Sequence, residues 1–417
     1  MLYSIIEYLN IQYRLDECNV SWEGGDLMET PSMRSLLSLT IPAVALLASQ
    51  GFAQTAPQNR LFVLSDTDMV PTVYETGQLG PVDPHHADTL AIIESPSGMA
   101  TPHLTGVSNS TYGPPGALDV SADGRFVFVA ETFEKRPDGA RRLDELRQGN
   151  TVRSLQVEGA KATEVDSVRI GTQPQAIHLN PAGDLLVAIT VDADKELAFV
   201  PVGGGQFGEV ATFGLGLEPS TGFIPLKSTW LQWHPSGRYV TVNLVDRGQV
   251  AFYEIERATD GSVTAVRPWG NRVQTNKFPF VGRFSPDGRY YVTSDVQWGI
   301  DTAGFYGVRE GILTTIRVAD AGATGEDARH TVPHIALGGW GAETIAFSPD
   351  GRFLASSNLR GTGKPDGSPD WTDQASISLY EVTPPPGIWP STASGRSQEY
   401  CRRASLSTAP GARCLWV

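Results

Sequence analysis

Asp119, His178, Gln232, Arg283 and Ala346 hold the same place in five copies of one local pattern, each five residues before a turn glycine. Four of the five carry polar side chains: a carboxylate, an imidazole, an amide and a guanidinium. Set on one ring of strands, these groups could line a polar ligand site. The same groups could equally pair with neighbouring strands or with ordered channel water. A second cluster is Asp83-Pro84-His85-His86-Ala87-Asp88. Imidazoles and carboxylates are metal-ligand types, but no distant partner shows ligand spacing, so the segment reads as a solvated loop and no metal is expected. His103, His234, His330 and His334 show no ligand spacing either, and His234 reads as a turn cap. Trp230 and Trp233 read as packing between strands. The chain has no Gly-x-Ser-x-Gly elbow, no phosphate loop, no dinucleotide fingerprint and no Cys-x-x-Cys-His haem motif, so no cofactor is expected.

The elements that must position these side chains are hairpins. Glu343–Asn358 reads ETIAFSPDGRFLASSN, a strand, a Pro-Asp-Gly turn and a second strand. Pro349 presets φ for the turn and Gly351 supplies the positive φ of its exit. The same unit recurs at Leu118–Ala130, Ile177–Ile189, Leu231–Asn243 and Val281–Ser294. Their turn glycines, Gly124, Gly183, Gly237, Gly288 and Gly351, stand 59, 54, 51 and 63 residues apart. A hairpin returning at roughly 50 residues is the signature of propeller blades, which add radially around one channel and form one domain. The pattern predicts an all-β propeller. A first blade of three strands, Arg60–Ser65, Thr89–Ser95 and His103–Val107, has no hairpin before it, as expected if a C-terminal strand completes it. Six blades are recognisable, the last ending with Ala375–Val382 as its fourth strand.

Composition narrows the function. A net charge of −14 excludes a nucleic-acid surface, which needs basic residues against phosphate. Cys18, Cys401 and Cys414 all lie outside the repeats, so neither a disulfide framework nor a thiolate zinc site is expected in the body. Residues 1–32 lack the repeat pattern and read as a non-native upstream extension. Residues 33–53 have the layout of a secretory signal peptide: Met33-Arg34, an apolar run, then Gly51 and Ala53 before the cut. Cleavage after Ala53 predicts a periplasmic or secreted protein with no membrane span. Residues 54–385 are the propeller. Residues 386–417 are Ser/Arg-rich without strand alternation and read as a non-propeller tail, consistent with a shifted reading frame replacing a seventh blade.

Blade six carries a resemblance. Ala342-Glu343, Ser348-Pro349-Asp350-Gly351-Arg352-Phe353, Ser357-Asn358 and Arg360-Gly361 are similar to a string of the lactonase-type, YVTN-repeat seven-bladed propellers, which include 6-phosphogluconolactonases. The resemblance implies a seven-bladed ring, of which this chain shows six blades. It also implies catalytic roles for Glu343 and Arg360, the arginine stabilising the oxyanion of an opening lactone and the carboxylate moving a proton or orienting water. Thr344 and Leu359 are one-residue insertions against that string, and a one-residue slip in a strand reverses facing. The expectation is an exported enzyme that hydrolyses or isomerises a small sugar-acid lactone at the channel mouth, with Asp119, His178, Gln232 and Arg283 lining the ligand site. The alternative is a non-catalytic periplasmic or surface propeller that binds a protein or glycan.

Overall fold

The computed structural model describes residues 3–5, 60–70, 72–82, 88–94, 102–109, 116–218, 228–296 and 310–382. They form six antiparallel sheets, each a blade. Blade one is β1 (Tyr3–Ile5), β2 (Arg60–Asp66), β3 (Thr89–Glu94) and β4 (His103–Gly106). Blade two is β5 (Leu118–Val120), β6 (Phe126–Phe133), β7 (Gln148–Glu158) and β8 (Lys161–Arg169). Blade three is β9 (Ala176–Leu179), β10 (Leu185–Ile189) and β11 (Leu197–Gly203), with β12 (Gln206–Phe207) and β13 (Ala211–Phe213) both paired to β11. Blade four is β14 (Trp230–Trp233), β15 (Tyr239–Leu244) and β16 (Gln249–Arg257), with β17 (Val263–Pro268) and β18 (Val273–Gln274) on its outer edge. Blade five is β19 (Phe278–Phe284), β20 (Tyr290–Val296), β21 (Glu310–Arg317) and β22 (Thr331–Trp340). Blade six is β23 (Ala342–Phe347), β24 (Phe353–Asn358) and β25 (Ser376–Glu381). Helical structure among the described residues amounts to one turn, Val73–Thr76, and three short 3-10 turns.

The turn sequence explains why the hairpins repeat. In blades two, five and six a serine hydroxyl donates to the aspartate two residues on: Ser121 to Asp123 at 2.7 Å, Ser285 to Asp287 and Ser348 to Asp350 at 2.6 Å. The same aspartate accepts the backbone N–H and the Nε of the arginine after the glycine. The serine Oγ also accepts the N–H that starts the second strand. The turn therefore satisfies its own polar groups without help from the sheet. Arg125, Arg289 and Arg352 are thereby committed to turns. Asn180 plays the serine's part in blade three. His234 does so in blade four, where its Nδ1 accepts the Ser236 N–H and its Nε2 donates to Gly288 O of the next blade.

Successive inner strands β5, β9, β14, β19 and β23 pack side by side. Two apolar clusters fill the spaces between blades, one centred on blades one to three and one on blades three to six. Among the described residues no comparable strand packing joins blade six to blade one. Two details depart from the sequence reading. The inner place in blade one is taken by β1, with Tyr3 opposite Asp66 and Ile5 opposite Leu64, so the completing strand comes from the N-terminal side. β25 is the third strand of blade six, where a fourth was expected, and it exposes Ile377 and Leu379. A charged insertion between β6 and β7 contains a 3-10 turn, Leu143–Glu145. Its Arg136 reaches Asp68 at 3.0 Å and Gly80 O at 2.9 Å, tying the insertion to blade one. The signal segment and the tail past residue 382 lie outside the described residues.

Blade five holds a fully buried carboxyl, Asp295. It accepts hydrogen bonds from the Thr293 and Thr314 hydroxyls and the Asn276 N–H. Burial, outweighing these donors, pushes its pKa up to about 7. The native state therefore holds a proton that the unfolded chain releases near pH 4. Stability from the protonated form is complete below that point and is lost as pH rises through 7. Asp295→Asn is expected to be more stable than the wild type at pH 8.5, by roughly 2–4 kcal/mol, with the difference shrinking at pH 5. Urea unfolding at the two pH values measures it; a pH-independent difference would refute the assignment.

Candidate functional site

The five row positions lie on the inner strands of blades two to six, but they divide into two kinds. Asp119 is buried. Its Oδ1 accepts the Val120 N–H at 2.8 Å and its Oδ2 accepts the N–H of Leu179 in blade three. Gln232 repeats the arrangement two blades on, its Oε1 accepting the Phe284 N–H of blade five at 2.8 Å. In each case the acceptor takes the N–H of the residue that follows the row residue of the next blade. Asp119 and Gln232 therefore work as stitches between blades. Ala346 is exposed.

His178 and Arg283 hold the remaining two positions and make no such stitch. His178 sits 3.9 Å from Asp119 Oδ2, and its Nδ1 lies 3.0 Å from Leu179 O. A carbonyl only accepts, so Nδ1 carries the hydrogen. Burial lowers the ring's pKa, with Asp119 opposing the shift and Arg283 adding to it. Arg283 lies with its guanidinium carbon 4.4 Å from the centre of the Trp230 ring, a cation–π contact. His178 belongs to blade three and Arg283 to blade five.

Glu343 is the second residue of β23, and the register slips there: Ala342 faces Asn358 while Thr344 faces Ser357. Glu343 is thus the extra residue of a β-bulge, one position before Thr344, where the sequence reading put an insertion. Bulges re-aim side chains and gather near functional sites. Ser294 of blade five donates to Glu343 O at 2.8 Å and fixes the bulge. Its side chain is half-buried, and burial alone pushes the carboxyl up to about 7. Arg360 lies at the same end of blade six, in the loop after β24. It has a left-handed φ of 54°, donates its N–H to Trp340 O at 3.0 Å, and stacks its guanidinium 5.7 Å from the Trp340 ring. Among the described residues no ion pair joins Glu343 and Arg360, and no cation contributes to the shift at Glu343.

Sequence reasoning took Trp230 for core. It is buried, but it is also the platform beneath Arg283. The signal was the Trp-x-x-Trp spacing in WLQW, which on a strand puts the two rings on opposite faces. Trp233 faces the other way, and its indole N–H donates to His178 O at 3.1 Å. Asp66, Asp68 and Asp88 bring carboxylate oxygens within 4.8 Å of one another. Asp66 and Asp88 accept nearby N–H groups and Asp68 pairs with Arg136, so these carboxylates fasten blade one. Of the Asp83–Asp88 cluster, residues 83–87 lie outside the described residues.

No family model matches the chain, and no curated protein is similar to it in sequence. Several solved structures are similar to the chain over part of its length. One is a periplasmic gluconolactonase of Pseudomonas aeruginosa, at 16% identity and TM-score 0.42, over 71% of this chain and 88% of that one. Another is a candidate 6-phosphogluconolactonase of Bacteroides fragilis, at 15% identity and TM-score 0.39, over 73% and 90%. A third is hydrazine synthase of Kuenenia stuttgartiensis, at 15% identity and TM-score 0.40, over 67% of this chain and 66% of that chain, just under two thirds. Propellers host unrelated chemistries, and likeness at this level leaves the side chains of the channel to carry the functional reading.

Proposed function

We propose that this chain is an exported, lactonase-like propeller that hydrolyses or isomerises a small sugar-acid lactone at the end of the channel where β23 begins. The observation that supports it most is Glu343: a carboxyl held on a bulge at an inner strand, with a pKa raised to about 7 by burial. A group that titrates near working pH can both give and take a proton. Lactone opening needs one proton moved from water and one delivered to the leaving oxygen. The substrate class comes from the blade-six string that resembles lactonase-type propellers. In this reading Arg360 is the second catalytic group. Its stacking on Trp340, 5.7 Å from the ring, orients a guanidinium that a negatively charged oxygen could approach. Export follows from the signal-like residues 33–53.

Glu343→Gln is expected to cut lactone hydrolysis by about 10²–10⁴-fold, and to remove a pH–rate inflection near 7. Equal rates for variant and wild type would take Glu343 out of the reaction. A second reading, a non-catalytic propeller that binds a protein or glycan, is favoured by one observation: Glu343 and Arg360 are not joined. It predicts no turnover of any lactone by the wild type.

A further inference from the structure

Three carboxylates meet at one end of blade one. Asp66 is the last residue of β2, Asp68 follows two residues on, and Asp88 immediately precedes β3. Each offers an oxygen, and the three oxygens lie within 4.8 Å of one another. Asp66 is buried and the other two are half-buried. Arg136 pairs with Asp68 at 3.0 Å and offsets one of these charges. Like charges held this close repel, the more so away from water. Burial raises the Asp88 pKa above its ordinary value against the hydrogen bonds it accepts, and the charge of Asp68 adds to the rise.

Asn109 separates this corner from an ordinary acidic cluster. It is 0% exposed. Its main-chain N–H donates to Asp88 Oδ2 at 3.2 Å. Its Nδ2 donates to Ser65 O at 3.0 Å, the carbonyl joined to Asp66, and to Val107 O at 3.1 Å. Both of those partners are carbonyls, which only accept, so the orientation of the amide is fixed. The residue is pinned between Asp88 and the peptide that enters Asp66, and its Oδ1, on the same planar amide, lies in that corner. No hydrogen-bond donor reaches this buried oxygen among the described residues, nor the buried Oγ of Ser108 beside it. Leaving a buried acceptor unsatisfied is costly, and a cation removes that cost together with the repulsion.

We infer that Asp66, Asp68, Asp88 and the amide oxygen of Asn109 form a calcium site at the start of blade one. Oxygen ligands without thiolate or imidazole suit a hard cation. Calcium binds oxygen at about 2.4 Å, so ligands on opposite sides of it stand about 4.8 Å apart, a limit the three carboxylates already meet. Magnesium draws its ligands in to about 2.0–2.1 Å and demands an octahedron. These carboxylates are anchored against such a contraction: Asp66 Oδ1 accepts the Asp68 and Met69 N–H groups, and Asp88 Oδ1 accepts the Thr67 N–H and hydroxyl. The ion joins the ends of β2 and β3 to the segment after β4, so its effect is on the stability of blade one.

Titration calorimetry on the full chain, freed of divalent ions with EDTA, compares calcium chloride with magnesium chloride. Calcium is expected to bind at one ion per chain with a Kd at or below about 1 mM, and about tenfold or more tightly than magnesium. At about 10 mM it should raise Tm by about 2–5 °C. Asp88→Asn is expected to weaken calcium binding by about tenfold or more and to cancel the rise in Tm. Asp68→Asn is the second variant if Asp88→Asn does not fold, and the calcium-against-magnesium comparison on the wild type decides without either. Absence of calcium binding, magnesium binding as tightly, several weak sites in place of one, or a folded variant that binds calcium as the wild type does would each overturn the site.

Discussion

Trp233→Ala is expected to cost about 3–5 kcal/mol of folding stability, the range for emptying a large buried aromatic site. Trp233 is 2% exposed and sits in the apolar cluster that joins blades three to six. It meets Phe199 of blade three edge to face at 6.1 Å, and its indole N–H holds His178 O at 3.1 Å. Removing the ring opens a cavity and also strips a carbonyl of its donor, which adds to the loss. The substitution acts at a seam between blades, so both sides lose contacts at once. Urea unfolding should show the midpoint falling sharply. Trp371→Ala is the comparison: its ring is 41% exposed, and the change should stay within about 0.5 kcal/mol. Similar losses for the two variants would mean that the seam is not where the stability lies.

Gly270→Ala is expected to cost at least about 3 kcal/mol, combining left-handed strain with overpacking. Gly270 has φ +69°, and an added Cβ would stand 2.0 Å from Ala328 O and 2.8 Å from His330 Nε2. Neither neighbour can retreat. His330 Nε2 donates to Trp269 O at 2.8 Å, and its ring stacks on Phe252 at 3.8 Å. Trp269 in turn stacks on Tyr239 at 3.7 Å and donates to Ala323 O. A methyl group at 270 therefore presses on the whole outer edge of blade four. Gly124→Ala separates the two causes. Gly124 has φ +65° but nothing within 4 Å of the added Cβ, so it should show strain alone, about 1–2 kcal/mol. If both variants lose the same amount, the crowding argument is wrong.

The wheel was legible because its punctuation is local. Each Ser-x-Asp-Gly-Arg turn closes its hydrogen bonds within six residues, so the motif survives intact in the sequence, and His234 could be recognised as a turn cap; the matching part of Asn180 came only from its hydrogen bonds. The site was less legible because facing and engagement are not local. Asp119 and Gln232 look like channel residues by spacing, but each is taken up by a backbone N–H some 50–60 residues away in the next blade. Arg283 stands at an equivalent position and cannot accept that N–H, since a guanidinium has no acceptor. It turns onto Trp230 instead. The sequence reading put insertions at Thr344 and Leu359, but only the register shows that the extra residue of β23 is Glu343, while Thr344 pairs with Ser357. The identity of blade one's inner strand had no sequence signal, because Tyr3–Ile5 carries no turn before Arg60 that would mark it as a partner.

Turns that satisfy themselves bear on how the chain reaches its native state. A tight hairpin closes within microseconds, since little loop entropy is lost before its contacts form. Five such hairpins can therefore arise independently, early and in any order. Docking them edge to edge relies on contacts between distant residues, such as Trp233 with His178 O or Gln232 with Phe284 N–H, and distant contacts form slowly. The barrier should thus lie in assembly of the wheel, with turn mutations changing the unfolding rate little and seam mutations slowing refolding.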